Sequence, residues 1–291
     1  MSLRFGPILV VLALVGCSGE APALHAPGAS AATPPTTTIA QSEAPAARDV
    51  TFTTSDGVTI SATLARASRV DAPAVILVHQ ISSTRAEWAP LVERLHVDAS
   101  ITTLAIDMRG HGQSTHGAHG TLDWQTFDDA AWASARLDVL AAVAYLAGPE
   151  SGVAPAAFAA VGSSMGSTAV IAAAAEEPRL TTLVTVSPGR AYHGVDAITP
   201  ATTLTSRAIF AVASQDEQDS AETAGTFGRL TSVPALIVPG DAHGVLIFGG
   251  DPSALDQVED FLRERLAWVR LTPRQAAIAR PPLTSTGAPP T

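Results

Sequence analysis

The chain has 291 residues, a formal net charge of −10 and 46% hydrophobic residues. That length and apolar content predict one large folded domain with extensions at its ends. The acidic balance argues against a nucleic-acid partner, because binding to phosphates needs clustered Lys and Arg that this chain lacks. Its single cysteine, Cys17, excludes an intramolecular disulfide.

Residues 1–16 have the pattern of an export signal. Arg4 is followed by an apolar run, residues 5–15, that is too short to span a bilayer as a helix. The run ends at Cys17 in the sequence Leu-Val-Gly-Cys, which resembles a bacterial lipobox, although an ordinary signal peptide with an incidental cysteine is the alternative. The resemblance implies lipidation of Cys17 and attachment to a membrane of the cell envelope. The residue after the cysteine is Ser18, and this pattern resembles that of lipoproteins that Gram-negative hosts send to the outer membrane.

Residues 17–48 consist largely of Ala, Pro and Thr, with almost no large apolar side chains. Such a segment cannot bury enough apolar surface to fold, which predicts a flexible tether. The tail, residues 281–291, has the same composition and is predicted to be disordered. The folded body is therefore predicted to span residues 49–280.

The body begins with a hairpin pattern, in which alternating residues 50–54 and 58–64 flank an Asp56-Gly57 turn. Asp128 and Asp129 suit the amino end of a helix, where negative charge is favourable. Apolar runs further along predict buried strands at 74–78, 102–106, 156–161, 182–186, 208–212 and 235–238. Helical patterns occupy 90–95, 130–146, 168–177 and 256–269. The alternation predicts an α/β fold, with a mostly parallel sheet covered on both faces by helices.

The most informative stretch is Gly162-Ser163-Ser164-Met165-Gly166, between a predicted strand and a predicted helix. A serine at the apex of such a turn sits on strained backbone that exposes its hydroxyl at the carboxyl end of a sheet. Both glycines are predicted to be required because the strand and helix pass too closely for a Cβ. Ser164 is therefore a candidate nucleophile.

With three further elements, this turn makes the body similar to the α/β-hydrolase family over nearly its whole length. Residues 107–114 resemble the family's Asp-x-Arg-Gly-His-Gly-x-Ser segment. Asp216 follows one of the last strands, where the family has its acid, and His243 follows the final strand, where the family has its base. The order Ser, Asp, His is also that of the family.

The resemblance implies a catalytic triad in which His243 takes the proton of Ser164 while Asp216 orients the imidazole. It also implies that the backbone N–H groups of Met165 and Ile81 bind the oxyanion, and it implies no cofactor.

Several residues near these positions leave alternatives open. Glu217 and Asp219 lie beside Asp216, which is favoured by its distance from the predicted strand end. Gln80 replaces the glycine of the common His-Gly pair, so the oxyanion loop is expected to differ in shape. His111 is interpreted as a structural loop residue, and the scattered positions of the other histidines argue against a metal site.

Residues 188–207 are too few to hold the helical cap that many family members insert after the corresponding strand. We therefore expect an open pocket that takes a small-molecule ester. Two alternatives remain: an amide-hydrolysing enzyme of the serine aminopeptidase type, and a binding lipoprotein that keeps the fold without catalysis. The sequence does not indicate the oligomeric state.

Overall fold

The computed structural model describes residues 46–97 and 100–269. The predicted signal peptide 1–16, Cys17, most of the predicted tether and the tail 281–291 lie outside these ranges. The first strand begins at Arg48, one residue before the predicted start of the body.

The described residues form twelve strands. They are β1 Arg48–Thr53, β2 Thr59–Ala65, β3 Ala74–Val78, β4 Thr102–Ile106, β5 His116–Gly117, β6 Gly120–Thr121, β7 Phe158–Ser163, β8 Leu180–Val186, β9 Ala191–Tyr192, β10 Val195–Asp196, β11 Ala208–Ser214 and β12 Leu236–Val238.

The same part of the chain contains eight α-helices and three short 3-10 turns. The helices are α1 Ala89–His96, α2 Asp129–Ala133, α3 Arg136–Ala147, α4 Met165–Glu176, α5 Ile198–Ala201, α6 Gln218–Thr231, α7 Leu246–Gly250 and α8 Pro252–Val269. The 3-10 turns span Arg85–Trp88, Trp124–Thr126 and Pro149–Ser151.

Ten of the strands form one sheet, in the order β12-β11-β8-β7-β3-β4-β2, with β1 and the β5–β6 hairpin also joined through β2. The six strands from β12 to β4 run parallel, whereas β1 and β2 are antiparallel to their neighbours. The predicted mostly parallel sheet is therefore confirmed. This arrangement brings the carboxyl ends of β3, β7, β8, β11 and β12 to one edge, where polar loops can converge.

The sheet separates two apolar cores, as the alternating side chains of β3 show. Ala74, Ile76 and Val78 join the core formed with α2 to α6, while Val75 and Leu77 join the core formed with α1, α7 and α8. Because both faces are covered, every residue of this strand is buried, which explains the uninterrupted apolar run in the sequence.

The predicted helix over 130–146 is divided into α2 and α3. Asp128 caps α2 as expected, its side chain accepting the Ala131 N–H. At the division, the Ser134 hydroxyl donates to the Ala130 carbonyl, and the Arg136 side chain donates to the Ala133 carbonyl. The Ala130 carbonyl accepts both the N–H and the hydroxyl of Ser134, a local contact that a helical pattern alone does not reveal.

By length and composition alone, the stretch Asp129–Ala147 could cross a membrane. Its side chains Val139, Val143 and Leu146 are instead fully buried in the core of the domain. These contacts are those of a core helix.

Between β8 and β11, residues 188–207 form only the small β9–β10 hairpin and the single turn of α5. The expected absence of a large cap is confirmed for this segment. This segment therefore contributes only a two-stranded hairpin and one helical turn to the covering of the sheet.

Candidate active site

Ser164 occupies the tight turn between β7 and α4. Its backbone has φ 52° and ψ −116°, which is strained for a non-glycine residue, and its N–H donates to the Val186 carbonyl at 2.8 Å. A Cβ on Gly162 would lie 2.3 Å from the Gly166 carbonyl oxygen, and one on Gly166 would lie 2.4 Å from the Val78 carbonyl oxygen. Both glycines are therefore required, although Gly166 avoids the neighbouring strand β3 rather than β7.

His243 lies in the loop between β12 and α7, and its ring is paired with Glu217. The His243 Nδ1 atom is 2.5 Å from Glu217 Oε1. Because a carboxylate can only accept, Nδ1 carries the proton, which leaves Nε2 as the basic nitrogen. A carboxylate on Nδ1 fixes the tautomer in which a histidine can act as a general base.

Asp216 does not pair with His243, so the prediction that it orients the imidazole is wrong. Strand β11 continues to Ser214, two residues beyond the predicted end, because Ala213 and Ser214 pair with β12, and the buried Ser214 hydroxyl donates to the Ala242 carbonyl. Pairing with the next strand then extends through the Asp216 N–H, which donates to the Gly240 carbonyl at 2.9 Å. The Asp216 side chain is left exposed, and Glu217, the next residue, reaches the histidine.

A hydrogen-bond network holds Glu217 from its other side. The Ser187 hydroxyl donates to Glu217 Oε2 at 2.7 Å and accepts the Gly244 N–H at 2.8 Å. Gly244 directly follows His243, so the same hydroxyl fixes both the carboxylate and the loop of the histidine. Asp219, the third acid of this segment, instead accepts the Arg190 N–H.

Tyr192 brings a further hydroxyl to Ser164 from the β9–β10 hairpin. Its O–H donates to the Ser187 carbonyl at 3.1 Å. Burial raises the pKa of this phenol, against the lowering effect of the neighbouring Ser220 and Ser164 hydroxyls. At neutral pH the group is therefore a neutral hydroxyl beside the candidate nucleophile.

Met165 and Ile81 remain the predicted oxyanion donors, and the structure describes what surrounds their N–H groups. Met165 is the first residue of α4, where a helix N–H has no partner within its own helix. Within residues 46–97 and 100–269, neither the Met165 N–H nor the Ile81 N–H donates a hydrogen bond to a backbone or side-chain acceptor. Both donors are thus available for a ligand.

His79 sets the direction of the Ile81 N–H. Its Nε2 accepts the Met108 N–H at 2.9 Å, so its Nδ1 carries the proton and donates to the Gln80 carbonyl at 2.6 Å. Burial lowers the pKa of His79 to about 4, which keeps the ring neutral. In a trans peptide the N–H points opposite to the carbonyl, so the Ile81 N–H is directed away from His79.

The segment 107–114 is a scaffold for this loop. Asp107 accepts hydrogen bonds from the backbone N–H groups of Arg85 and Gln113 and from the Arg85 guanidinium. Arg109, almost fully buried, is paired with both Asp56 and Asp138. The residues that resemble the family segment therefore stabilise the fold through hydrogen bonds and ion pairs, and they are not candidates for catalytic residues.

His111 belongs to an aromatic cluster rather than to the candidate active site. It is buried and stacks on Trp124, with ring centroids 5.1 Å apart, while its other neighbours include His79 and Trp132. This supports its interpretation as a structural residue. In the part of the chain that the structure describes, no group of three or more His, Cys, Asp or Glu could hold a metal ion.

The sequence profile of the family described as "Serine aminopeptidase, S33" matches residues 71–221, about half of the chain. The chain belongs to this family of α/β hydrolases. The match contains Ser164 and Glu217, while His243 lies beyond it. No curated protein sequence matches the chain.

Solved structures with the same fold include several hydrolases. The esterase Pf2001 of Pyrococcus furiosus is 19% identical, and the match covers 75% of this chain and 92% of that one with a TM-score of 0.58. The α/β hydrolase GrgF of a Penicillium species is 17% identical, over 76% and 99% of the two chains, with a TM-score of 0.59. A dienelactone hydrolase of Anabaena variabilis is 18% identical, over 75% and 96%, with a TM-score of 0.53. At these identities the likeness shows the fold alone.

Glu87 makes stability depend on pH. It accepts the Gln80 N–H at 3.0 Å, and burial raises its pKa to about 7 from an ordinary value of 4.5, because burial outweighs the hydrogen bonds from Ser83 and Gln80. Between those two values the folded protein keeps a proton that the unfolded chain releases, so stability falls as pH rises. Glu87→Gln keeps an oxygen acceptor but cannot ionise. The free energy of unfolding of Glu87→Gln, relative to that of wild type, should therefore rise by on the order of 2 kcal/mol between pH 5 and pH 8.

Urea unfolding at both pH values measures this gain. The control is Glu93→Gln, which changes an exposed carboxylate on α1 and should not alter the slope. If the free energy of unfolding depended on pH in Glu87→Gln as it does in wild type, the Glu87 carboxyl would not titrate between pH 5 and pH 8.

Proposed function

We propose that this protein is a serine hydrolase that cleaves carboxylic esters through Ser164, His243 and Glu217. The observation that carries the proposal is the His243–Glu217 hydrogen bond, at the same sheet edge as the strained turn of Ser164. The loop of His243 touches that turn, since a Cβ on Gly244 would lie 2.7 Å from the Ser163 hydroxyl oxygen. Nucleophile, base and acid thus come from three loops that meet.

In the proposed reaction, the Ser164 oxygen attacks the ester carbonyl while its proton passes to His243 Nε2. Glu217 stabilises the imidazolium that forms, and the N–H groups of Met165 and Ile81 stabilise the oxyanion. His243 then gives the proton to the departing alcohol, which leaves an acyl-enzyme. Water, deprotonated by the same histidine, releases the acid and restores Ser164.

Ser164 is buried, with 3% of its surface exposed, but the segment between β8 and β11 holds no large cap, which supports small esters as substrates. The segment that could cover the turn contains only the β9–β10 hairpin and α5, and one structural relative is an esterase. The second candidate function is amide hydrolysis, which the description of the matching family favours. The two differ in leaving group, not in the residues required.

Hydrolysis of a nitrophenyl ester series from acetyl to palmitoyl tests the proposal. The purified protein should be most active on short acyl chains, and Ser164→Ala should lose roughly 10³-fold or more in kcat, because the nucleophile is removed. A matched control is Ser253→Ala, which changes an exposed serine at the start of α8.

Equal ester hydrolysis by wild type and Ser164→Ala would contradict the proposal. Absence of turnover on every ester, with a fluorophosphonate still reacting at Ser164, would instead favour amide substrates. No turnover and no labelling would favour a binding role.

We further propose that the protein is exported and anchored in the cell envelope through lipidated Cys17. The support is the sequence pattern of residues 1–17, which lie outside the described structure. In a bacterial host, radiolabelled palmitate should enter the wild-type protein, which should partition into detergent. Cys17→Ser should lose both properties. Retention of the label by Cys17→Ser would contradict the proposal.

A further inference from the structure

The Gln80 side chain lies where three loops of the proposed site meet. Gln80 is the second residue after β3, and its amide oxygen accepts a hydrogen bond of 3.2 Å from the Ser163 hydroxyl. Ser163 immediately precedes Ser164 and is fully buried. A buried hydroxyl without a partner is unfavourable, so this bond fixes the Gln80 amide against the turn of the nucleophile.

Gly244 packs on the same amide from the loop of the histidine. A Cβ on Gly244 would lie 1.8 Å from Gln80 Oε1, and the φ of 59° also favours glycine. The Gly244 N–H donates to the Ser187 hydroxyl at 2.8 Å. The residue after His243 therefore contacts both the Gln80 amide and Ser187.

The backbone of Gln80 is itself fixed, so the side chain projects from a rigid base. Its N–H donates to Glu87, and its carbonyl accepts from His79 and from the Ser83 N–H at 3.3 Å. The turn that includes Ser83 also contains Ser82 at φ 62°. Hydrogen bonds of this kind keep a supporting side chain in one place.

We propose that Gln80 is a positioning residue that holds the loop of His243 in register with the turn of Ser164. It acts through Ser163 and Gly244, which its side-chain amide contacts. The inference rests on the proposed function, because it assigns Gln80 a part in the same reaction. Proton transfer from Ser164 to His243 depends on their separation, and a misplacement of about 1 Å can lower a rate roughly 100-fold.

Gln80→Met tests the inference, because methionine keeps the length of the side chain while its thioether sulfur is only a weak acceptor for the Ser163 hydroxyl. We expect kcat for nitrophenyl acetate to fall about 10- to 100-fold, with KM changed less than about threefold. Ser163→Ala removes the same hydrogen bond from its other end and should also lower kcat. The double variant should be no slower than Gln80→Met alone, because both changes remove one interaction.

Gln257→Met is the matched control, since Gln257 is exposed on α8, and its kcat should equal that of wild type. Thermal unfolding checks that each variant is folded. If Gln80→Met does not fold, Ser163→Ala alone decides the outcome through its kcat.

An unchanged kcat in Gln80→Met and Ser163→Ala, with an active wild type, would overturn the positioning role and leave the proposed function intact. A raised KM at constant kcat would overturn it too, because Gln80 would then bind substrate. Multiplicative losses in the double variant would show that Gln80 does not act through Ser163. An inactive wild type would remove the proposed function, and the role of Gln80 with it.

Discussion

The contact between β7 and α4 at Gly162 and Gly166 is the constraint on which the candidate active site depends. A Cβ on Gly162 would meet the backbone of α4, and one on Gly166 would meet the backbone at the end of β3, while the turn between the two glycines holds Ser164 in a strained conformation. The strain persists because the flanking strand is buried on both faces and the helix packs across it. As a result, the serine side chain and the Met165 N–H are delivered to the same edge of the sheet.

The remaining groups are positioned by polar contacts between loops rather than by regular structure. Ser187 joins the carboxylate of Glu217 to the loop of His243, and Gln80 joins that loop to the residue before Ser164. On the oxyanion side, the neutral ring of His79 connects Met108 to the Gln80 carbonyl. Each loop is thus supported by a neighbouring loop, which can keep the site ordered without a cap domain.

Much of this could be predicted from the sequence because apolar periodicity and glycine sterics are local signals. The bounds of β3 and β4 agree with their apolar runs, and the Asp56-Gly57 turn lies where its residues placed it. The assignment of the acid failed because a buried polar residue, Ser214, extends β11 beyond its apolar run. The register of the following loop depends on that extension, so the distance from the predicted strand end favoured Asp216 over Glu217 wrongly.

Other features depend on contacts between residues distant in sequence. Helix α6 has many polar residues and glycines, so its pattern gave no prediction, although Phe227 and Ala224 anchor it in the core. The departure of Gln80 from the common glycine was visible in the sequence. The structural consequence of a glutamine at this position could not be predicted, because it depends on a contact with Gly244, which lies more than half the chain length further on.

Comparison of Glu217→Gln with Asp216→Asn tests the central claim most directly, since the variants are chemically similar and adjacent. If Glu217 orients His243, Glu217→Gln should lower kcat for a short nitrophenyl ester by roughly 10³- to 10⁴-fold, because the amide no longer stabilises the imidazolium. Asp216→Asn should remain close to wild type. A large loss in Asp216→Asn, with Glu217→Gln fully active, would contradict the account.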